Sequence, residues 1–415
     1  MAIIILVKQT IAVSDKYKSI LIDSLTIVSG HDMMIFLDNA STTRLKKEAL
    51  DAMMPYLIDD YANPSSVHKM AKGPRNAVDE ARGRIAKLIN AQKGEIYFTS
   101  GGTESDNWVI KCAPKVLAEK GKHIIVSSIE HHAIIESARY MESCGYDVTY
   151  LKVDGSGFVT MDELKKAVRE DTVLISVMTA NNEIGTIEPI KEIGAFAREK
   201  GILFHTDAVQ AVGHIPIDVV DMNIDMLSVS GHKFGGPKGI GFLYVRKGID
   251  LPSFMDGGSQ EKGMRAGTTN VPGIIGMAKA LEVSVAEMDS AAERMMALRD
   301  HCIERIEKEI PNCRLNGDRS KRLPGNVNFT FYGVGEGSCG LPMLMNFNDI
   351  CVSTGSACAA SSSEPSHVLL AIGVPREEAN GSIRITLSEE NTMEEIDHTV
   401  DVLKDSIDKL RRLGM

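Results

Sequence analysis

The sequence predicts an α/β fold: a large domain on a mostly parallel sheet with helices on both faces, joined to a smaller α+β domain. Three observations carry this. Short, near-continuous β-branched runs alternate with segments of helical periodicity through the middle of the chain, the pattern of strands buried on both faces. The alternation stops near Gly273, where a long amphipathic stretch begins. The length, 415 residues, exceeds what one hydrophobic core usually serves, so two domains are expected.

Residues 1–34 read as an extension ahead of the fold. "MAIIILV" is apolar but too short for a signal-peptide core and has no basic residue before it. Met33 and Met34 stand where the fold starts, as expected of a start assigned too early or of a short peripheral extension. "EIYFTS" (95–100) is then a strand leading to a polar helix start. "HIIVSS" (123–128) precedes the helical "EHHAIIESARYMESCG", and "DVTYLKV" returns as a strand. "TVLISVMTA" (172–180) runs through the helix "PIKEIGAFAREKG" to "ILFHTDAV" (202–209). "DMLSVSG" (225–231) and "GIGFLYVRKG" (239–248) complete seven strands.

The amphipathic segment from Gly273 to Ile310 is too long for a crossover helix and suits a bridge between domains. "NVNFTFYG", "DICVSTG" and "SIRITLS" follow as strands, with a last helix from about Thr392. The large domain is placed at 43–285, and the small domain at 35–42 with 286–415.

Composition narrows the function. The net charge is −10 and no Lys/Arg run is long enough to follow a phosphate backbone, so nucleic acid is not an expected partner. No apolar run approaches the ~20 residues that span a bilayer, so neither is a membrane. The seven cysteines are odd in number and scattered, without CxxC spacing. That argues against a disulfide framework or a zinc site and for a reducing compartment, the cytoplasm.

Several residues have chemistry to offer. Lys233 lies between two apolar strands in "SVSGHKFGGPKGIGFLYV", a glycine-rich turn where a solvated lysine is the plain alternative. Asp207 ends a buried-looking strand, where open α/β sheets bind ligands; it would also serve as a helix N-cap. A buried lysine with a strand-end aspartate meets the needs of a pyridoxal phosphate enzyme, one holding the cofactor and the other its pyridine nitrogen. "TSGGTESDN" offers free backbone N–H groups at a helix start around Gly102 and Thr103, a phosphate cradle, although capping alone explains the pattern too. His131 and His132 follow a strand end, as a ring-stacking histidine with its neighbour or as a surface pair. Arg384 stands in the apolar run "SIRIT" and needs an anion, either a substrate carboxylate or an internal salt bridge. Cys358 sits in "STGSACAASSSEPSHVL", a small-residue stretch suited to a thiol that moves and reacts rather than one that packs.

Taken together, "FLDNASTT", "NPSSVH", "TSGGTESDN", "EHHAII", "NNEIGTIEPI", "HTDAVQAVG", "SGHKFGGPKGIG", "RAGTTNVP", "STGSACAASSSEPSHVL" and "SIRI" resemble, in order and spacing, the pyridoxal-phosphate cysteine desulfurases. The resemblance runs from about Ile35 to the C-terminus, and the long segment around Cys358 is similar to the group serving nitrogenase and general iron–sulfur cluster assembly. It implies a fold-type I transferase within the class V aminotransferases. By resemblance, Lys233 is the Schiff-base lysine and His131 the ring-stacking histidine. Asp207 is the partner of the pyridine nitrogen, and Gln210 contacts the phenolic oxygen. Gly102, Thr103, Ser230 and His232 belong to the phosphate site, and Thr268 is a phosphate ligand given by the neighbouring subunit of a homodimer. Asn182 and Arg384 bind the substrate carboxylate, and Cys358 accepts the sulfur. The implied reaction turns L-cysteine into L-alanine and leaves a persulfide on Cys358, which passes its sulfur to an iron–sulfur scaffold protein or another acceptor. The chain itself holds no resident metal, although Cys358 could co-ligate a cluster on the scaffold.

The chain departs from the pattern in places. Gly102 stands where the family usually has alanine, and Arg44 where it has proline. Ser388 and Glu389 replace a Gly-Arg pair, removing a positive charge near Arg384. Cys339 and Cys351 flank a segment with an unexpected proline, as packing residues or as auxiliary thiols. The chain stops at "RRLGM", without the tail that helps some relatives dock the scaffold. Two other readings remain at this point: a selenocysteine lyase or related pyridoxal phosphate lyase, and a non-catalytic sulfur-trafficking partner.

Overall fold

A computed structural model describes residues 34–334, 341, 345–346, 348–354 and 364–413. The seven apolar runs pair into one sheet: β2 (Ile96–Thr99), β3 (His123–Ser127), β4 (Asp147–Leu151), β5 (Thr172–Ser176), β6 (Leu203–Asp207), β7 (Met226–Ser230) and β8 (Gly241–Val245). Their order is β2-β8-β7-β6-β5-β3-β4. β8 alone runs against its neighbours, antiparallel to both β2 and β7. Every residue of β3, β5, β6, β7 and β8 is buried, as expected of strands covered on both faces.

Alternate strand residues serve opposite layers because side chains alternate across a strand. Ile125, Ile175, Phe204 and Leu227 face α1 (Lys47–Ile58), α2 (Lys72–Leu88) and α6 (Ile190–Glu199). Ile124, Val126, Leu174 and Met226 face α3 (Gly102–Cys112) and α4 (His132–Ser143). The short α5 (Met161–Ala167) starts at Thr160, whose hydroxyl accepts from Glu163 N at 3.3 Å.

The long amphipathic stretch is one unbroken helix, α7 (Val271–Glu309). Asn270 caps it, accepting from Gly273 N at 3.0 Å, and Pro272 lies in its first turn, where a missing N–H costs nothing. Its first half, through Leu281, packs in the sheet's core. Its second half, from Leu298, packs in a separate core with Phe329, Phe331, Ile385 and Leu403.

That second core lies against an antiparallel sheet of β9 (Cys313–Leu315), β10 (Asn326–Phe331) and β12 (Ser382–Thr386), ordered β12-β10-β9. The terminal helix α10 (Met393–Leu413) covers it. The chain's first strand, β1 (Ile35–Phe36), joins the same half by pairing in parallel with β11 (Ile350–Cys351). Two short helices, α8 (His367–Ala371) and α9 (Arg376–Ala379), bring Val368, Leu369 and Val374 against Ile129, Met178 and Ile184 of the large sheet's loops. Among the described residues no helix is long and apolar enough to cross a membrane.

Candidate active site

The expected site residues gather at the carboxyl ends of the parallel strands, where an open α/β sheet leaves a crevice. Asp207 ends β6 and Ser230 ends β7; Lys233 lies in the single 3-10 turn that follows β7. His131 is the N-cap of α4 after β3, and Gly101 and Gly102 open α3 after β2. Sequence reading identified these positions; their convergence is a consequence of the strand order.

Lys233 Nζ donates to the carbonyl oxygens of Ala40 and Ser41, each at 2.7 Å, and Gln210 Nε2 donates to the same Ala40 oxygen at 3.0 Å. Asp207 is buried, and its Oδ1 accepts from Val209 N at 2.9 Å, so it does cap the turn as well. Burial pushes its carboxyl up to about 6, while the Val209 N–H and the Lys233 ammonium pull the other way. His131 Nδ1 accepts from Ala133 N at 3.1 Å, which leaves the ring proton on Nε2. Burial, then Lys233, lowers this histidine to about 4, so it is neutral over the working range.

The phosphate corner is shaped by glycine. Gly101 has φ +150° and caps α3 without a side-chain hydrogen bond, leaving the helix's first N–H groups open to an anion. A Cβ on Gly101 would stand 3.3 Å from Ser230 Oγ, and one on Gly102 only 2.5 Å from Val209 Cγ2. The absence of a side chain at Gly102 thus accommodates Val209. Thr103 is exposed on the first turn of α3. His232 Nδ1 lies 3.1 Å from Thr42 Oγ1. Thr268 is exposed on a loop tied to α3 by Arg265, whose Nε and Nη2 donate to the Glu104 carboxylate at 2.8 and 3.0 Å.

At the other end, Arg384 in β12 is 1% exposed. Its Nη1 donates to the Asn182 carbonyl at 3.1 Å and its Nη2 to Asp38 Oδ1 at 2.7 Å. The anion that the sequence demanded is, in this structure, internal. Glu389, the departure nearby, is paired with Lys46 Nζ at 2.7 Å, which compensates its charge.

Sequence reading missed three buried ionisable groups behind the crevice: Asp106, Glu130 and His205. Glu130 Oε1 accepts from Ser127 Oγ at 2.6 Å and Met178 N at 2.8 Å, and its carbonyl accepts from His367 Nε2 at 2.9 Å. Asp106 lies in α3 and His205 in β6, while Glu130 lies in the turn between β3 and α4, and nothing local in the sequence marks any of them as buried. Cys358 and Cys339 lie outside the described residues. Cys351 is half-buried, and burial, then Asp38 and Asp349, raises its thiol, so it is poorly suited to react.

The residues present fit pyridoxal phosphate: a helix start whose glycines leave a cradle, a buried carboxylate at the end of β6, and a lysine whose charge acts on both that carboxylate and a neutral histidine. Asp207, Lys233, His131 and Gln210 would hold its ring, and the Gly101–Thr103 turn with Ser230 its phosphate.

Comparison with known proteins agrees. The class-V aminotransferase family model matches residues 35–399. The cysteine desulfurase IscS of Dictyoglomus turgidum is 53% identical over 381 residues, covering 92% of this chain and 96% of that protein. IscS of Methanosarcina thermophila is 51% identical over 388 residues, with 93% and 95% covered. Among solved structures, a NifS-like protein superposes with a TM-score of 0.84 at 36% identity, covering 90% of this chain and 99% of its own. SspA in complex with cysteine gives a TM-score of 0.75 at 40% identity, with 86% and 100% covered. The chain belongs to the class-V aminotransferase family and, within it, to the pyridoxal-phosphate-dependent cysteine desulfurases of the NifS/IscS type.

Proposed function

We propose that the chain converts L-cysteine to L-alanine through a persulfide on Cys358 and supplies the sulfur for iron–sulfur cluster assembly or another thiolation. The observation that carries this is the convergence of Lys233, Asp207 and His131 at the sheet's carboxyl edge, with the buried Arg384 bonded to the Asn182 carbonyl in the segment after β5. A 40%-identical relative solved with cysteine supports the substrate.

Bound pyridoxal phosphate supplies an electron-accepting ring that stabilises charge on the substrate's α-carbon. Asp207, held as an anion by the Val209 N–H and by Lys233, keeps the ring nitrogen's proton in place. The neutral His131 would pack on the ring. Arg384 and Asn182 fix the substrate carboxylate, which orients the α-C–H toward Lys233 Nζ, the base that takes this proton. The Cys358 thiolate then forms an S–S bond with the substrate sulfur as the C–S bond breaks. The released electron pair stays on carbon and is quenched by a proton, giving alanine and an enzyme persulfide without any external oxidant.

The protein acts as a homodimer in this reading, with Thr268 completing the partner's phosphate site. The exposed Leu50, Met54, Leu57, Ile58 and Tyr61 support an interface beside α1. Residues 43–285 form the cofactor-binding domain, and 35–42 with 286–415 the small one; the two separate cores support this division. Free thiols at all five described cysteines suit the cytoplasm.

The test is alanine formed from L-cysteine, with reductant, by wild type and by Cys358→Ser. Alanine from wild type alone is expected. Equal alanine from both sinks the persulfide step, and a stronger response to L-selenocysteine than to L-cysteine would favour a selenocysteine lyase.

A further inference from the structure

Asp38 pairs with the arginine proposed to take the substrate carboxylate, yet has no part in the chemistry above. Arg384 is 1% exposed, so no face of its guanidinium is open to a ligand as the chain stands. Its Nη1 is taken by the Asn182 carbonyl and its Nη2 by Asp38 Oδ1. Its Nε is buried without a partner. Of these neighbours only Asp38 carries a charge, and its side chain keeps 19% of its surface exposed, against 1% for Arg384. A carboxylate seeking Arg384 therefore meets another carboxylate already seated there.

We propose that Asp38 is a substrate-mimicking latch: its carboxylate holds Arg384 in the unliganded enzyme, and the carboxylate of the amino-acid substrate displaces it. This rests on Arg384 being the substrate-carboxylate site. The exchange is like for like, one charge-assisted hydrogen bond to a buried guanidinium replaced by another, so it costs little for a carboxylate. An amine without a carboxylate gains nothing at Arg384 and cannot drive it. Asp38 thus sets specificity by competing with every ligand while yielding only to those that carry the right group. It also keeps Arg384 from standing as an unpaired buried charge when the site is empty, which would be costly.

The same stretch of chain is fastened elsewhere in the site. Ala40 and Ser41 hold Lys233 Nζ, Ala40 holds Gln210, and Thr42 and Thr43 contact His232. On its other side Arg384 pairs with Ser353 through two backbone hydrogen bonds, Arg384 N to Ser353 O at 2.6 Å and Ser353 N to Arg384 O at 3.2 Å. The latch is therefore joined by short links both to the cofactor lysine and to the strand end that precedes Cys358 in sequence.

The experiment titrates the holoenzyme with L-alanine and with L-alaninamide, following the cofactor's absorbance, in wild type, Asp38→Asn and Arg384→Gln. Removing the competitor is expected to lower the half-saturating L-alanine concentration about tenfold, leaving L-alaninamide unchanged. Weaker or unaltered L-alanine binding in Asp38→Asn, or equal tightening of both ligands, overturns the latch. Arg384→Gln separates the two levels: if it leaves L-alanine binding intact, the carboxylate assignment itself is wrong. If it weakens L-alanine while Asp38→Asn does not tighten it, only the latch fails. Should Asp38→Asn lose its fold, shown by far-UV circular dichroism, Asp38→Ser carries the same expectation.

Discussion

Asp106 Oδ1 lies 3.8 Å from His205 Nε2, and neither side chain is more than 1% exposed. They do not bond to each other. His205 spends both ring nitrogens on serines, Nδ1 at 2.8 Å from Ser176 Oγ and Nε2 at 2.9 Å from Ser228 Oγ. Asp106 Oδ1 is left without a hydrogen-bond partner. Burial, then the nearby Asp207 charge, holds the Asp106 carboxyl well above the usual carboxylate range. Burial thus favours the neutral form of both groups, while the Val209 N–H and Lys233 favour the charged form of Asp207 beside them.

Asp106→Asn tests that state. A carboxyl raised in the fold binds its proton more tightly there than in the unfolded chain, so its stabilising contribution is full at low pH and falls as pH rises. The asparagine variant, which cannot ionise, is expected to gain on wild type in thermal midpoint as pH rises from about 5 to about 8. A constant difference across that range would mean Asp106 is already charged.

His205→Gln works in the opposite sense. Burial lowers His205 from 6.5 to about 3, so its contribution is present above pH 6.5 and is lost as pH falls, at about 1.4 kcal/mol per pH unit. Urea unfolding near neutral pH is expected to show a deficit of about 1–3 kcal/mol in the variant, from the two serine contacts. The deficit should shrink by about 2 kcal/mol at around pH 5.

Gly102→Ala forces Val209 aside, because the new methyl would lie 2.5 Å from Val209 Cγ2 and a β-branched side chain has few rotamers to escape into. A loss of about 1–3 kcal/mol is expected, with faster loss of cofactor on dialysis. Val209→Ala combined with it should recover most of that loss, a non-additivity that a double-mutant cycle reads directly.

Cys351→Ala is expected to keep alanine formation within about twofold of wild type, since a thiol raised by burial and by two aspartates makes a poor nucleophile near neutral pH. A fall comparable to that of Cys358→Ser would make Cys351 part of the sulfur route.

Much of this was readable from the chain. The seven strands lie where apolar runs place them, and the five central ones are near-continuous in the sequence because a strand buried on both faces favours apolar residues throughout. Lys233, Asp207 and His131 were legible because chemistry at strand ends leaves polar residues at the close of apolar runs. What sequence could not show is pairing at a distance. The reversal of β8 and the strand order depend on packing of remote segments. So does the Asp38–Arg384 contact, which joins residues 346 apart. Asp106 and His205 were passed over for a different reason: a polar residue within a helix or strand carries no local sign that its face is sealed.

Among the described residues the chain runs directly from one of these two cores to the other along α7 and again near residues 37–49, where Leu37 packs in one core and Ala49 in the other. α7 is a rod of 39 residues, about 58 Å long, and a hydrogen-bonded helix resists bending. Rocking of one half against the other would then bear on the shorter crossing. That crossing is also where Asp38, Ala40 and Ser41 grip Arg384 and Lys233. Mechanical play in the molecule is thus focused on the few peptide units that touch both ends of the reactive centre, so a load applied to either half would be felt there first.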